Sequence, residues 1–342
     1  MKKTKLKQGT LLWEKARATR IGGSEVFDIV RYYATDEELQ NCGINAEEFR
    51  EEKPYTTAWA LYHKILNDGI YQNEAPSAEY AEYGHAAEPY GVHYLQRNRV
   101  KKLKPGEVFA SDKLIASLDI SGVAEEVDIV PFSYGQGTPQ IGQRFVCEQK
   151  TMLPQVIKNG VPYKYIVQAQ YQITMTSADF FMLQIMVLKE DTPFIRGKVC
   201  QMSKKTRYKY LDENMGVKLL YFKNNEHLAQ LIKVCLERFF SDVEAKNEPT
   251  PYIENDSSKN IIKSIHINSA YNPKAVVELD LTLYASSKET EEAAALVRKS
   301  ELQKIIEVAK EKNVCCFSSS DGTSAKFSKD GKFLLKQKEK AV

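Results

Sequence analysis

The period of apolar and polar positions changes several times along this chain. Residues 8–32 carry a helical spacing broken at Ile21-Gly22-Gly23, which predicts two helices with a short loop between them, the second capped by Ser24. Residues 36–53 are acidic and helical or irregular. Residues 56–66 place Ala60, Leu61, Ile65 and Leu66 on one face of an amphipathic helix. A longer helix is expected over 78–98, interrupted at Gly84 and given a new turn or a kink by Pro89. From 108 to 150 the pattern shortens to runs rich in β-branched and aromatic residues, predicting strands at 108–110, 114–118, 126–130 and 145–148. A loop rich in Gly, Pro and Ser over 131–142 separates the last two. A helix over 162–177, a strand over 180–188 with 199–202 as its partner, and a periodic helix over 219–245 follow.

Past Asn247 the composition shifts. Glu248-Pro249-Thr250-Pro251 has the character of a linker. Beyond it come a polar turn at 256–259, a strand at 276–284, a charged amphipathic helix at 289–312, a hairpin strand at 326–336 and a charged tail. The expected organisation is a domain over 1–249 with its core at about 10–190, and a C-terminal accessory region over 250–342. The element order predicts an α/β (α+β) fold, a central mixed β-sheet flanked by helices.

Length and charge narrow the class without naming it. With 342 residues, 43% hydrophobic and 27% charged, the chain is long enough for a sizeable core. No apolar run approaches the length of a membrane span, and polar residues such as Glu14, Lys15 and Arg17 break the stretch after the basic start, so neither a membrane anchor nor a signal peptide is expected. The six cysteines form no C-x-x-C, and Cys315-Cys316 is poor geometry for a disulfide or a structural zinc. They read as reduced thiols, which predicts a cytoplasmic location. A net charge of +3 does not announce a nucleic-acid binder. The basic runs at 97–104 and 204–209 are either solvated faces or a local nucleic-acid contact.

Candidate chemistry centres on Glu148-Gln149-Lys150, which closes a strand-like stretch. Residues two apart on a strand share a face, so a carboxylate able to hold a divalent cation lies beside an ammonium. A lone pair of this kind is ordinarily a salt bridge, and Glu51–Lys53, Glu244–Lys246 and Asp330–Lys332 share the spacing. A second carboxylate from a neighbouring strand would turn the pair into a Mg²⁺ site, with the Gln149 carbonyl completing the shell. Asp119 is one candidate and Asp128 competes with it. Glu88, in Gly84-His-Ala-Ala-Glu88, adds a helix carboxylate, with Gly84 expected to let the helix pack closely. The Gly22-Gly23-Ser24 turn, with Arg17 on the preceding helix, offers a phosphate site or an ordinary cap. Gln168 and Gln170 follow Tyr165 on an otherwise apolar helix. Such buried amides need partners, and a metal-bound water or a neighbouring loop would supply them.

In this order the pieces resemble the lambda exonuclease family, the YqaJ-like viral recombinases of the PD-(D/E)xK nuclease superfamily. Trp13-x-x-x-Arg17 with Ser24-Glu25 resembles the family's N-terminal element, where the arginine and serine hold the 5′-phosphate of a DNA end. Gly84-x-x-x-Glu88, Ser117-x-Asp119, Glu148-x-Lys150 and Tyr165-x-x-Gln168-x-Gln170 match the motifs that follow. The resemblance covers about residues 10–190. It implies a restriction-endonuclease-like core and catalytic roles for Lys150, Glu148, Asp119, Gln168 and Glu88. It also implies Mg²⁺ or Mn²⁺, two ions per site, held by Asp119, Glu148, Gln149 and Glu88. The implied activity is 5′→3′ degradation of one strand of linear double-stranded DNA, leaving a 3′ strand for a phage single-strand annealing protein. A ring-shaped homotrimer, encoded by a phage or prophage, is implied as well.

The chain departs from the family pattern where Ile120-Ser121-Gly122 follows the aspartate and where the segment before Glu148 is long. A RecB-like or CRISPR-associated nuclease with an iron–sulfur cluster fits less well, since Cys315-Cys316 is the only late cysteine cluster. A non-catalytic DNA-end-binding scaffold is the alternative from another class.

Overall fold

The computed structural model describes residues 2–67, 70, 78–97, 102–124, 134–135, 140–151, 160–252, 256, 258–267, 275–278, 293–320, 323–328 and 332–336. The strand expected at 126–130 with Asp128, much of the loop over 131–142, part of the basic run at 97–104 and most of the charged tail lie outside them.

The chain forms two units, one built from Met1–Tyr55 and Asn73–Asn247, the other from Thr56–Gln72 and Glu248–Val342. In chain order, β1 (Lys2–Lys3), α1 (Leu11–Ala18), β2 (Ile21–Gly22), α2 (Val26–Tyr33), α3 (Asp36–Asn41) and α4 (Ala46–Glu51) open the first unit, and α5 (Ala58–Leu66) belongs to the second. The first unit resumes with α6 (Ala78–Arg97), β3 (Lys104–Pro105), β4 (Val108–Ala110), β5 (Leu114–Ser117), β6 (Ile120–Val123), β7 (Tyr134–Gly135) and β8 (Arg144–Thr151). It ends with α7 (Tyr163–Thr176), β9 (Phe180–Leu188), α8 (Pro193–Gln201), α9 (Lys204–Asn214), β10 (Met215–Lys223) and α10 (Glu226–Ala245). The second unit adds α11 (Ser258–Ile267), β11 (Val276–Glu278), α12 (Ala293–Lys312), β12 (Cys316–Ser318), β13 (Ser324–Phe327) and β14 (Phe333–Lys336).

The first unit holds a mixed sheet of order β3-β6-β8-β9-β10-β7 and a smaller one of order β1-β4-β5-β2. In the larger sheet β8 is parallel to β9 and antiparallel to β6, and β10 runs antiparallel to β9. Both faces are covered. Val146, Leu183 and Phe222 pack under Tyr165, Ala169 and Ile173 of α7, while Phe145, Cys147 and Met182 pack with Leu95 of α6. Strand alternation therefore sends Glu148 and Lys150 to the α7 face and Gln149 to the α6 face.

Three expected elements differ. Residues 219–222 form the end of β10 rather than the start of a helix, because Leu-Leu-Tyr-Phe pairs with Phe181–Gln184 of β9 and Asn225 caps α10 afterwards. Residues 199–202 are not a partner strand. They close α8, which Thr192 caps and Pro193 opens at its first turn. Ser24 does not cap a helix, for Gly23–Glu25 form a 3₁₀ turn and Glu25 is the residue before α2. Pro89 lies inside α6, which is a single helix through it.

In the second unit α5, α11 and α12 pack with the sheet β11-β12-β13-β14 around Trp59, Ile261, Ile306 and Phe317. The C-terminal part of this unit begins at Glu248, and residues 56–72 join it. Glu248 is not a linker residue. Its Oε1 accepts from Trp59 Nε1 at 2.6 Å and lies 3.0 Å from His63 Nε2, and Lys310 donates to the same oxygen. These donors hold its carboxyl down at about 2 against the opposing effect of burial. Among the described residues no helix is long and apolar enough to cross a membrane.

Candidate active site

Asp119 occupies the link between β5 and β6, the point where the chain leaves one sheet of the first unit and enters the other. Because Ile120 is paired with Cys147, Asp119 falls beside Glu148 and Gln149. Its Oδ2 accepts a hydrogen bond from the Gln149 backbone N–H at 2.7 Å. The Ser117-x-Asp119 and Glu148-x-Lys150 segments are thereby joined.

Lys150 Nζ donates to Glu148 Oε1 at 2.7 Å, and Gln172 Nε2 on α7 donates to Glu148 Oε2 at 3.2 Å. Glu148 is buried and Lys150 keeps 26% of its side chain exposed. Glu88 on α6 is half-buried, with His85 Nδ1 3.5 Å from its Oε1. Asp119 Oδ1 and Glu88 Oε2 accept no hydrogen bond among the described residues.

The electrostatics of the cluster are those of crowded carboxylates. Burial and then the Glu148 charge push the Asp119 carboxyl well above its usual range, against the pull of Lys150 and the Gln149 N–H. Burial likewise raises Glu88; His85 opposes it and Glu148 adds to it. Burial draws the Lys150 ammonium down, but Glu148 and Asp119 outweigh it and hold the group above the ordinary lysine value. The neighbouring carboxylates thus favour the ammonium form of Lys150. Three carboxylates competing for charge beside one ammonium form a hard-oxygen donor set suited to a divalent ion. In this arrangement, among the described residues, no three of Asp, Glu, His and Cys converge tightly enough to enclose one.

A stack of buried amides supports the strand from behind. Gln149 Nε2 donates to Gln184 Oε1 at 3.3 Å, and Gln184 Nε2 donates to the Gly91 carbonyl of α6 at 3.2 Å. A Cβ on Gly91 would lie 2.7–2.9 Å from the Gln149 carboxamide. The close approach of helix to strand therefore depends on Gly91. Gly84, expected in that role, has only Thr151 Oγ1 at 3.8 Å from such a Cβ.

The glutamines of α7 divide their work differently from the expectation. Gln168 is buried and makes no hydrogen bond among the described residues, and its Cγ lies 3.4 Å from a Cβ built on Gly23. Gln170 bonds the Lys223 carbonyl at 2.6 Å and the Asn225 N–H at 2.8 Å, tying α7 to the turn after β10. Gln172, which the motif does not single out, is the one that reaches Glu148. Its position one turn after Gln168 on the same helix face is the signal that could have found it.

The N-terminal cluster is less open than its sequence predicts. The Gly22 N–H is taken by Glu25 Oε2 at 2.8 Å, which sets a buried carboxylate against the turn. Ser24 is half-buried and Arg17 is exposed, with its guanidinium 5.4 Å from the Trp13 ring centroid. Arg17 has no carboxylate partner among the described residues. Trp13 is anchored by Nε1 donating to Ser117 Oγ at 2.9 Å, two residues from Asp119. Asp119 lies beside Glu148 and Gln149, and Asp128 lies outside the described residues.

No family model and no curated protein matches this chain. Among solved structures it is similar to an alkaline exonuclease from Laribacter hongkongensis, at 15% identity and a TM-score of 0.42, over 69% of this chain and 94% of that one. It is similar to a phage-related exonuclease from Haemophilus somnus 129PT at 10% identity and a TM-score of 0.40, over 66% and 96% of the two chains. At these values the likeness says nothing of activity, which rests on the residues.

Proposed function

We propose that this protein is a divalent-metal-dependent DNA exonuclease with a PD-(D/E)xK core, removing nucleotides 5′→3′ from one strand of linear duplex DNA. The observation that carries the reading is the Gln149 N–H to Asp119 bond. It unites two motifs distant in sequence at one place, with Lys150 and the half-buried Glu88 completing the cluster.

In this reading Asp119 and Glu148 would hold Mg²⁺ or Mn²⁺, with Glu88 and the Gln149 carbonyl available to a second ion. A bound ion there would supply Lewis-acid activation of the phosphate and a nucleophilic water. The chain's own residues do the rest. Lys150, kept as an ammonium, counters charge building on the phosphate oxygens. Glu148 would be one of the residues holding the ion, and Lys150 and Gln172, bonded to its two oxygens, orient its carboxylate. Arg17 and Ser24 would take the terminal 5′-phosphate, with Glu25 setting the turn that presents Ser24. A ring-shaped trimer and delivery of the 3′ strand to an annealing protein belong to the same proposal.

The deciding experiment is digestion of linear and covalently closed duplex DNA with Mg²⁺. Linear DNA should shorten from its 5′-phosphorylated ends while closed circles survive. Lys150→Ala should abolish cleavage and leave DNA binding intact. Efficient cutting of closed circles would replace the exonuclease with an endonuclease, and sedimentation as a monomer would remove the ring.

A further inference from the structure

A groove of about 500 Å³ opens at the carboxylate cluster, and neither Arg17 nor Ser24 lines it; its size is within the range of small-ligand sites. It is lined by Glu88, Asp119 and Gln149 and also by Lys7, His93, Lys204 and Tyr208. Part of this lining is tied to α6. Tyr208 of α9 donates its hydroxyl to the Pro89 carbonyl of α6 at 2.9 Å. His93 stacks on the Tyr208 ring at 4.8 Å and 23°, and Lys204 Nζ lies 5.5 Å from the same ring centroid. Lys7 and Lys204 are exposed, and neither has a carboxylate partner among the described residues.

The lining carries both signs of charge. A small free anion would be repelled by the carboxylates and a small cation by the lysines. A phosphodiester strand fits both, provided one phosphate meets the carboxylates through a divalent ion and another meets the lysines directly. The two sides of the cluster also differ in what they touch. Gly23 packs on α7 beside Gln168 and Gln172, and Gln172 reaches Glu148, whereas the groove opens at Asp119 and Glu88. A strand held by its 5′-phosphate beside Gly23 would reach this groove past Glu148 and Asp119.

We propose that this groove takes the nucleotides on the 3′ side of the scissile bond, with Lys7 and Lys204 contacting backbone phosphate against the His93–Tyr208 wall. The proposal rests on the nuclease reading and gives the basic run at 204–209 a role through Lys204.

The test uses Lys150→Ala protein and 5′-phosphorylated single-stranded oligonucleotides of about one to six residues, followed by fluorescence anisotropy. Affinity should rise as the strand grows beyond its first nucleotide. Adding Lys7→Ala and Lys204→Ala should remove most of that gain and lower the salt dependence by about 0.7 per lysine in the slope of log K against log salt. Lys233→Ala, at an exposed lysine of α10, should change neither. A length-dependent gain untouched by the two lysine substitutions, or no gain with length, overturns the groove assignment and leaves the nuclease reading standing. Failure to bind DNA of any length or form overturns both.

Discussion

Gln172 holds Glu148 from the helix side. Its Nε2 donates to Oε2 at 3.2 Å, while its own Oε1 is buried without a hydrogen-bond partner among the described residues. An amide that leaves one end unpaired to hold a carboxylate is costly in packing terms, which marks the contact as one that matters for the orientation of Glu148. Gln172→Ala should lower turnover on linear DNA by about tenfold or more, the range for residues that orient a metal-binding carboxylate. DNA affinity in the Lys150→Ala background should stay unchanged. Equal turnover of Gln172→Ala and wild type would deny the positioning role.

Arg17→Ala tests the other end of the strand. An arginine–phosphate contact is a charge-assisted bond, so its loss should reduce the preference for 5′-phosphate over 5′-hydroxyl ends by about tenfold or more. The rate on 5′-hydroxyl DNA should change little. Parallel assays of the two kinds of end check this, and an undiminished preference would move the phosphate site elsewhere.

Two glycines of α6 should behave oppositely. Gly91→Ala forces the buried Gln149 amide to move, breaking its bond to Gln184, and should cost about 1–3 kcal/mol of stability. Gly84→Ala meets only ordinary contact and should be neutral or stabilising by up to about 1 kcal/mol. Denaturant melts of the two variants would settle which glycine the helix–strand approach requires.

Asp256, in the second unit, should make stability fall with rising pH. It is buried, accepts from Thr57 Oγ1 and from the Tyr252 N–H at 2.7 Å each, and has its carboxyl pushed up to about 6, chiefly by burial. The folded group binds its proton more tightly than the unfolded one. Stability contributed by the neutral form is complete below the unfolded carboxylate range and is lost as pH rises through about 6. The effect is at most about 3 kcal/mol. Between pH 7 and pH 5, wild type should gain Tm relative to Asp256→Asn, and parallel pH curves for the two would contradict the assignment.

What could be read from the sequence was whatever depends on local period. Two-residue alternation alone puts Glu148 and Lys150 on one face, and motif order alone selects that pair over the rival acid–lysine pairs, while Asp119 and Asp128 stay undivided in the sequence. What could not be read depends on how one element lies on another. Gln168 and Gln172 are equivalent on the helix surface until α7 settles over β8, and Gly91 looks like any helix glycine until Gln149 is beneath it. Leu219 to Phe222 has an apolar run too short to separate strand from helix, and the β9 partner decides it. Glu248 sits in a sequence with every mark of a linker, while its partners lie far away in the chain.

That last distance bears on how the protein is made. Trp59 and His63 of α5 precede Glu248 by 189 and 185 residues. As the chain is synthesised, α5 emerges early with an apolar face whose own unit has not yet been translated. The helix must wait, unsatisfied, while all of residues 73–247 pass. The second unit is thus completed only after the first can already have folded, and a chain stopped before Glu248 would carry a stranded, aggregation-prone helix in its midst. Excising residues 250–342 to isolate the first unit would create that orphan, so a stable minimal form has to remove residues 56–72 as well.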